Sequence, residues 1–344
     1  MASSQKPFSR RYLAVLAVTL VAVVCFFLFK PSARHTFRLS GVVWTTDYHI
    51  TYHGSTNLSD SVQSVLNAVD MSASVYNKQS LISAINAGGN EPLDACLTQL
   101  YKASQEVHKA SAGAFDPTVM PLVNAWGFGY KNGQLPTQAQ IDSILQFVGM
   151  DKVKLNGDTL AKSDPRVMLD FSSIAKGLAC DEIGRMLARN GAVNWLVEIG
   201  GEVMASGVNK RGTPWQVSVD MPNEEHDGKV THENALTLAL DSGAVATSGN
   251  YRKWRMEGGN KLSHIIDPHT GDSRAGTLLS VTVIAPDCMT ADAWATACMV
   301  MGEQEVKNMM QDRKDLGVIT IAADTVSGNL IVWSNAPFAE KIVN

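Results

Sequence analysis

Tyr12 to Phe29 form an 18-residue run without a charge, preceded by Lys6, Arg10 and Arg11. That length suits a membrane helix with its short tail, residues 1–11, in the cytoplasm and the rest of the chain outside it. A cleaved signal peptide is the competing reading, but its apolar stretch is usually shorter and ends at a small-x-small site. Lys30, Arg34 and Arg38 on the far side blunt the charge asymmetry, and Ser9-Arg10-Arg11 resembles part of a twin-arginine signal. Val24 stands where lipoprotein processing needs a small residue, so Cys25 reads as one more apolar membrane residue.

After a linker at 30–36, residues 37–344 read as one domain, because no long Pro/Gly/Ser-rich stretch separates two cores. Trp44, Thr46, Tyr48, Ile50 and Tyr52 recur at period two and predict a half-buried strand. Leu58, Val62, Val65, Leu66 and Val69 recur at helical spacing. Helices are also predicted over 92–111, with Pro92 near the start, and over 174–189. From Asn194 the texture changes to short β-rich runs at 195–199, 203–206, 215–219, 236–240, 279–284, 318–321 and 330–333. Gly200-Gly201 reads as a hairpin turn between the first two. Helices at 290–301 and about 303–311 interrupt the series. Segregation of this kind predicts an α+β fold of short mixed or antiparallel strands with flanking helices, behind an N-terminal membrane helix.

With 45% apolar and 18% charged residues, the chain has material for a substantial core and no signature of disorder. The net charge is −4 and the basic residues are scattered, which argues against a nucleic-acid partner. Cys96, Cys180, Cys288 and Cys298 contain no C-x-x-C pair, so zinc ligation is disfavoured, while disulfides and buried thiols both remain open.

Five stretches carry candidate chemistry. Gly113-Ala114-Phe115-Asp116-Pro117-Thr118 either presents polar groups to a ligand or uses Asp116 to cap the following turn. Trp126-Gly127-Phe128-Gly129 adds aromatic surface downstream, more typical of a core than of a cofactor wall. Leu169-Asp170-Phe171-Ser172-Ser173-Ile174-Ala175-Lys176-Gly177 leads from an apparent strand into a helix, with Asp170 or Ser172 as the cap. A helix N-terminus with hydroxyls and a Lys one turn in suits a pyrophosphate, although plain capping explains the same residues. It lacks the glycine and G-K-[ST] spacing of a Walker loop.

His264-Ile265-Ile266-Asp267-Pro268-His269-Thr270-Gly271 is turn-rich, with His264 the candidate for proton transfer or phosphate contact. No regular element sets its two His and one Asp at convergent spacing for zinc. Asp292 and Thr296 lie four apart on one helical face, where their oxygens can share a hard cation.

Taken in order, these segments resemble the ApbE family of FAD:protein FMN transferases, once described as thiamine-biosynthesis lipoproteins. The matching pieces are Asp70-Met71-Ser72 with Tyr76 and Asn86, Gly113 to Pro117, Asp170 to Gly177, Glu198-Ile199-Gly200-Gly201, Ser248-Gly249-Asn250-Tyr251, His264 to Pro268 with Thr270-Gly271, and Ala291-Asp292 with Ala295-Thr296. The resemblance implies an FAD-binding cleft with Mg²⁺ near the pyrophosphate. Tyr76, Ala114, Phe115 and Asp116 would contact the flavin nucleotide, with Asp170 and Lys176 nearby. Ser173, Asp292 and Thr296 would fall at the metal positions, and His264 at a catalytic or phosphate-contacting position. One departure stands out: Trp44-Thr45-Thr46 occupy the place of the family's Met-Gly-Thr, which puts a bulky indole at an FAD contact.

The implied activity is Mg²⁺-dependent transfer of FMN from FAD to a Thr or Ser hydroxyl of an acceptor protein, releasing AMP. The implied acceptor is an extracytoplasmic subunit of a membrane redox complex, and the implied place is the bacterial inner membrane with the catalytic domain in the periplasm. An Mg²⁺-dependent FAD pyrophosphatase, a non-enzymatic FAD-binding protein and an anchored solute-binding protein are the rival readings.

Overall fold

A computed structural model describes residues 35–129, 135–222, 233–250, 254–257, 260–274, 276–311, 313–324, 327, 329–335 and 341–343. The expected anchor at 12–29 and Tyr251 lie outside these residues. Among the described residues, no helix is long and apolar enough to cross a membrane.

The chain opens with a hairpin of β1 (His35–Val43) and β2 (Thr46–Gly54). Helices α1 (Ser59–Ala73), α2 (Leu81–Asn86), α3 (Ala95–Ala110), α4 (Met120–Ala125) and α5 (Gln138–Leu145) follow, then the small hairpin β3 (Val153–Asn156) and β4 (Thr159–Lys162). Helix α6 (Ala175–Arg189) leads into β5 (Trp195–Ile199), β6 (Glu202–Ser206), β7 (Trp215–Asp220), β8 (Asn234–Leu240), β9 (Ser242–Gly249), β10 (Trp254–Glu257), β11 (Asn260–Ser263) and β12 (Leu278–Ala285). The last elements are α7 (Cys288–Met301), α8 (Glu303–Met310), β13 (Gly317–Ala323), β14 (Leu330–Ser334) and β15 (Ile342–Val343).

Eight strands form one sheet in the order β1-β2-β5-β6-β9-β12-β13-β14, and every described pairing is antiparallel. Alternation divides its side chains between two cores. Ala244, Ala246, Val281, Val283 and Val318 face a helical layer that includes α1, α3, α6 and α7. Val203, Ala205, Val245, Ile284 and Ile319 face the opposite way, against the three-stranded sheet β15-β8-β7. The α+β expectation thus holds, with purely antiparallel pairing in place of a mixed sheet.

Several details differ from the sequence reading. Strand β1 begins at His35, two residues before the expected domain edge at Phe37 and within the expected linker. Trp44 sits in the β1–β2 turn rather than on the strand: Trp44 and Thr45 adopt φ values of 49° and 63°. Two positive φ values suit the right-handed twist of a two-residue hairpin, a conformation usually filled by Asn-Gly. The β5–β6 hairpin uses the expected glycines, with φ of 62° at Gly200 and 101° at Gly201. Helix α3 starts three residues after Pro92, because Asp94 is its cap and accepts the Leu97 N–H at 2.8 Å. Strand β9 carried no sequence signal, yet it lies in the middle of the sheet.

Candidate functional site

The site grows from the contact of α6 with α7. Gly177 lies where the two helices touch: a Cβ there would meet the Cys288 carbonyl oxygen at 2.5 Å and the Met289 Cα at 2.7 Å. That close approach lets the Gly177 N–H donate to Asp292 Oδ2 at 3.1 Å. One turn further along α6, Asp181 accepts the N–H groups of Cys288 at 2.8 Å and Met289 at 3.0 Å. Asp181 therefore caps the neighbouring helix, while Asp287 caps it from within by accepting the Thr290 N–H at 2.8 Å.

Charge is concentrated at this junction. Asp292 is 3% exposed. Burial pushes its carboxyl up to about 8, with Lys176 pulling it down and Glu202 pushing it further up. Lys176 forms an ion pair with Glu202, whose side chain is 3% exposed against 30% for the lysine. Burial alone would lower the Lys176 ammonium, but Glu202 and Asp292 outweigh it and hold the group protonated. Asp181 is likewise pushed up, to about 6, by burial. Two carboxylates, Asp292 and Glu202, thus share one ammonium in a region largely closed to water.

Thr296, one turn beyond Asp292 on α7, lies 3.2 Å from the Ser248 hydroxyl of β9. Two residues on, Asn250 accepts from the Ser263 hydroxyl at 2.5 Å and donates to the Leu278 carbonyl at 3.2 Å. His264 follows directly after Ser263 and is half-buried. The end of β9 thereby ties the Asp292–Thr296 face of α7 to the segment that carries His264. Ser173 is half-buried in the turn before α6, where the Ile174 and Ala175 N–H groups both donate to the Phe171 carbonyl.

The cap expected at α6 from Asp170 or Ser172 is not formed. No side chain caps this helix at Ile174, and Asp170 instead accepts the Ser172 N–H at 2.8 Å in a local turn. The Gly177 N–H is already engaged by Asp292.

A second group of motif residues converges on residues 169–170. The Asp170 N–H donates to the Pro117 carbonyl at 2.8 Å, joining this segment to the 113–118 loop. Asn86 clamps Leu169 from both sides, donating to its carbonyl at 2.7 Å and accepting its N–H at 2.8 Å. Burial pushes the Asp170 carboxyl upward. Tyr76 is 65% exposed, and its partial cover, together with the Asp170 carboxylate, raises its phenol. Trp44 reaches the same region: its indole N–H donates to Asp70 Oδ1 at 3.0 Å, and Asn77 donates to Asp70 Oδ2 at 2.6 Å.

Asp116 does what the capping reading describes. Oδ1 accepts from the Thr118 N–H at 2.8 Å and its hydroxyl at 2.6 Å, and Oδ2 accepts the Met150 N–H at 3.1 Å. His108 Nδ1 lies 3.5 Å from the same carboxylate, which burial pushes upward. Ala114 and Phe115 are buried beside it, so this loop offers a ligand its backbone rather than the Asp116 carboxylate. Trp126 is core, as its type suggested, and donates to the Gly271 carbonyl at 2.7 Å. Asp267 holds its own turn together, accepting from the His269 N–H and the Thr270 hydroxyl, both at 2.8 Å.

Sequence reasoning missed Asp181 and Glu202. Asp181 carries no local signal, since its partners lie 107 and 108 residues away. Glu202 follows Gly200-Gly201 directly, and an acidic residue opening a buried strand was the available hint. The four described cysteines are free thiols, and the Cys180 thiol donates to the Glu202 carbonyl at 3.4 Å.

Comparison with known proteins places this arrangement. A sequence model of the ApbE family matches residues 44–320. An FAD:protein FMN transferase of Vibrio cholerae serotype O1 is 34% identical over 308 residues, covering 86% of this chain and 89% of that protein. The FAD:protein FMN transferase of Escherichia coli K12 is 31% identical over 350 residues, covering 96% of this chain and 97% of its own. The solved structure of flavin transferase ApbE from Vibrio cholerae aligns with a TM-score of 0.78 at 30% identity, covering 90% of this chain and 99% of that one. The apo form of Pseudomonas stutzeri flavinyl transferase ApbE aligns with a TM-score of 0.79 at 29% identity, covering 90% and 97%. Since the matched region spans both the α6–α7 junction and the 113–118 loop, this chain belongs to the ApbE family.

Proposed function

We propose that the protein transfers FMN from FAD to a Thr or Ser hydroxyl of an acceptor protein, releasing AMP, with Mg²⁺ as the required cation. The observation that carries this reading is the buried Asp292 carboxylate, set against the first turn of α6 and one helical turn from Thr296. A carboxyl pushed up to about 8 by burial has its charged form disfavoured, and a bound cation would stabilise that form.

The donor set fits Mg²⁺. Asp292, Thr296 and Ser173 offer oxygen only, and among the described residues no cluster of three His, Cys, Asp or Glu side chains could hold a metal. A site poor in protein charge leaves coordination positions for water and substrate phosphates, which Mg²⁺ favours. Bound there, Mg²⁺ would offset charge on the pyrophosphate.

The remaining chemistry belongs to the chain's own residues. Lys176, protonated and partly exposed, supplies a positive charge to the pyrophosphate one turn into α6. Trp44, Tyr76, the Ala114-Phe115-Asp116 backbone and Asp170 hold the nucleotide, Asp116 by shaping the loop. The acceptor oxygen attacks the FMN-side phosphorus and forms the new P–O bond, while the bond to the AMP phosphate breaks. In this reading His264 takes the proton that the acceptor hydroxyl loses. The acceptor is an extracytoplasmic subunit of a membrane redox complex. The enzyme is held on the outer face of the bacterial inner membrane by residues 12–29.

The test is incubation of the protein with FAD and Mg²⁺, with and without an acceptor domain. Transfer gives protein-linked FMN and equimolar AMP. Free FMN and AMP at equal rates with or without acceptor would make the protein a pyrophosphatase, and intact bound FAD would make it a flavin-binding protein.

A further inference from the structure

Glu202 stands outside the roles assigned so far, yet it is among the most deeply buried charged groups in the molecule. It opens β6, on the sheet side of α6, and holds the Lys176 ammonium. Lys176 also interacts electrostatically with Asp292, whose carboxylate accepts the Gly177 N–H. Among the described residues, no hydrogen bond or ion pair joins Lys176 to Asp292. The lysine thus interacts with two buried carboxylates and is held by one of them. Its side chain is ten times as exposed as that of Glu202, 30% against 3%, so the lysine reaches the surface that its buried partner does not.

We propose that Glu202 is a positioning residue that keeps Lys176 off Asp292, leaving the Asp292 carboxylate available to a divalent cation. This rests on the reading of Asp292 as the cation ligand. A lysine on a flexible four-carbon stem pairs with whichever buried carboxylate it reaches, because an unpaired buried charge is the costlier state. Without Glu202, the nearest remaining partner is Asp292, and a Lys176–Asp292 pair would occupy the oxygens that the cation needs. The arrangement lets a cation and an ammonium stand side by side at one pyrophosphate, each with its own carboxylate.

The test reads Mn²⁺ affinity of the full-length protein by the electron paramagnetic resonance signal of free Mn²⁺, independently of flavin transfer. Glu202→Gln should weaken Mn²⁺ binding by about tenfold or more, the range for displacing a hydrogen-bonded charged group. Glu202→Asp keeps the charge but draws it back by one methylene, and it should weaken binding by several-fold for want of reach. Adding Lys176→Met to Glu202→Gln should return affinity to within about threefold of the parent, because the competing ammonium is gone; thermal unfolding confirms that each variant is folded. Parent-like affinity in Glu202→Asp would reduce Glu202 to a distant field charge and overturn the proposal, as would failure of Lys176→Met to rescue. Absence of Mn²⁺ binding by the parent, alone or with FAD, would remove the cation site itself.

Discussion

The α6–α7 wall and the β1–β2 tip store energy in different forms. In the wall the backbone is ordinary helix and the tension is electrostatic: Asp181, Glu202 and Asp292 are buried together with one lysine. At the tip Trp44 is half-buried and Thr45 exposed, and the tension is conformational, with both residues at positive φ. A non-glycine residue in that region is disfavoured by about 1–2 kcal/mol, and a β-branched one such as Thr45 is a genuine outlier. Both regions hold residues that local preferences would not choose, and both lie at the candidate site, where such departures concentrate. The difference separates their tasks: buried charge suits handling of phosphate and cation, whereas a preset aromatic at a turn suits fit of the nucleotide.

The largest effect is expected at Gly177. Gly177→Ala adds a Cβ against the Cys288 and Met289 backbone, which cannot swing aside as a side chain would. The gain in helix propensity is about 1 kcal/mol, and overpacking outweighs it, so urea unfolding should show a net loss of about 2 kcal/mol. A neutral substitution would break the wall's account at its base.

Next comes pH. Asp292 titrates at about 8 and Asp181 at about 6 in the folded protein, against 3.8 for an ordinary Asp. The folded state binds these protons more tightly than the unfolded chain, so their contribution to stability is complete at low pH and lost as pH rises through this window. Metal-free Asp292→Asn should therefore be more stable than the parent at pH 8 by roughly 1–3 kcal/mol, with the gap closing toward pH 4. Thermal unfolding at the two pH values measures it, and a parent that is the more stable at pH 8 would contradict the buried-charge picture.

The tip supplies two smaller tests. Thr45→Gly should raise stability by about 1 kcal/mol, relief of the left-handed strain exceeding the added freedom of the unfolded chain. No gain would mean that the turn is not strained. Trp44→Met should leave folding intact and change FAD affinity by a few-fold, the scale of one aromatic contact. Identical binding would leave the indole as a structural partner of Asp70.

Much of this architecture was legible in the chain. Helices α1, α6 and α7 and the β5–β6 turn follow from spacing and from Gly200-Gly201, and Asp292 and Thr296 fall on one face because helical period demands it. Strand β9 was not legible: Ser-Gly-Ala-Val-Ala-Thr-Ser-Gly has little apolar alternation, and its neighbours β6 and β12 supply the pairing. The Trp44 turn was misread because period two continued smoothly into β2. The roles of Gly177, Asp181 and Glu202 depend on partners far along the chain, which no window of sequence contains.

The most direct measurement uses one folded variant and two assays. Asp292→Asn removes a charge while keeping an oxygen for the Gly177 N–H. FAD titration by flavin fluorescence should find binding within a few-fold of the parent, since the proposed function gives the hold on the nucleotide to the tip, Tyr76 and the 113–118 backbone rather than to Asp292. Covalent flavin on an acceptor, followed across Mg²⁺ concentrations, should fall by roughly 100-fold or more, the scale of a lost metal contribution. Transfer at the parent's rate under limiting Mg²⁺ would contradict the account and leave Asp292 as a buried packing residue.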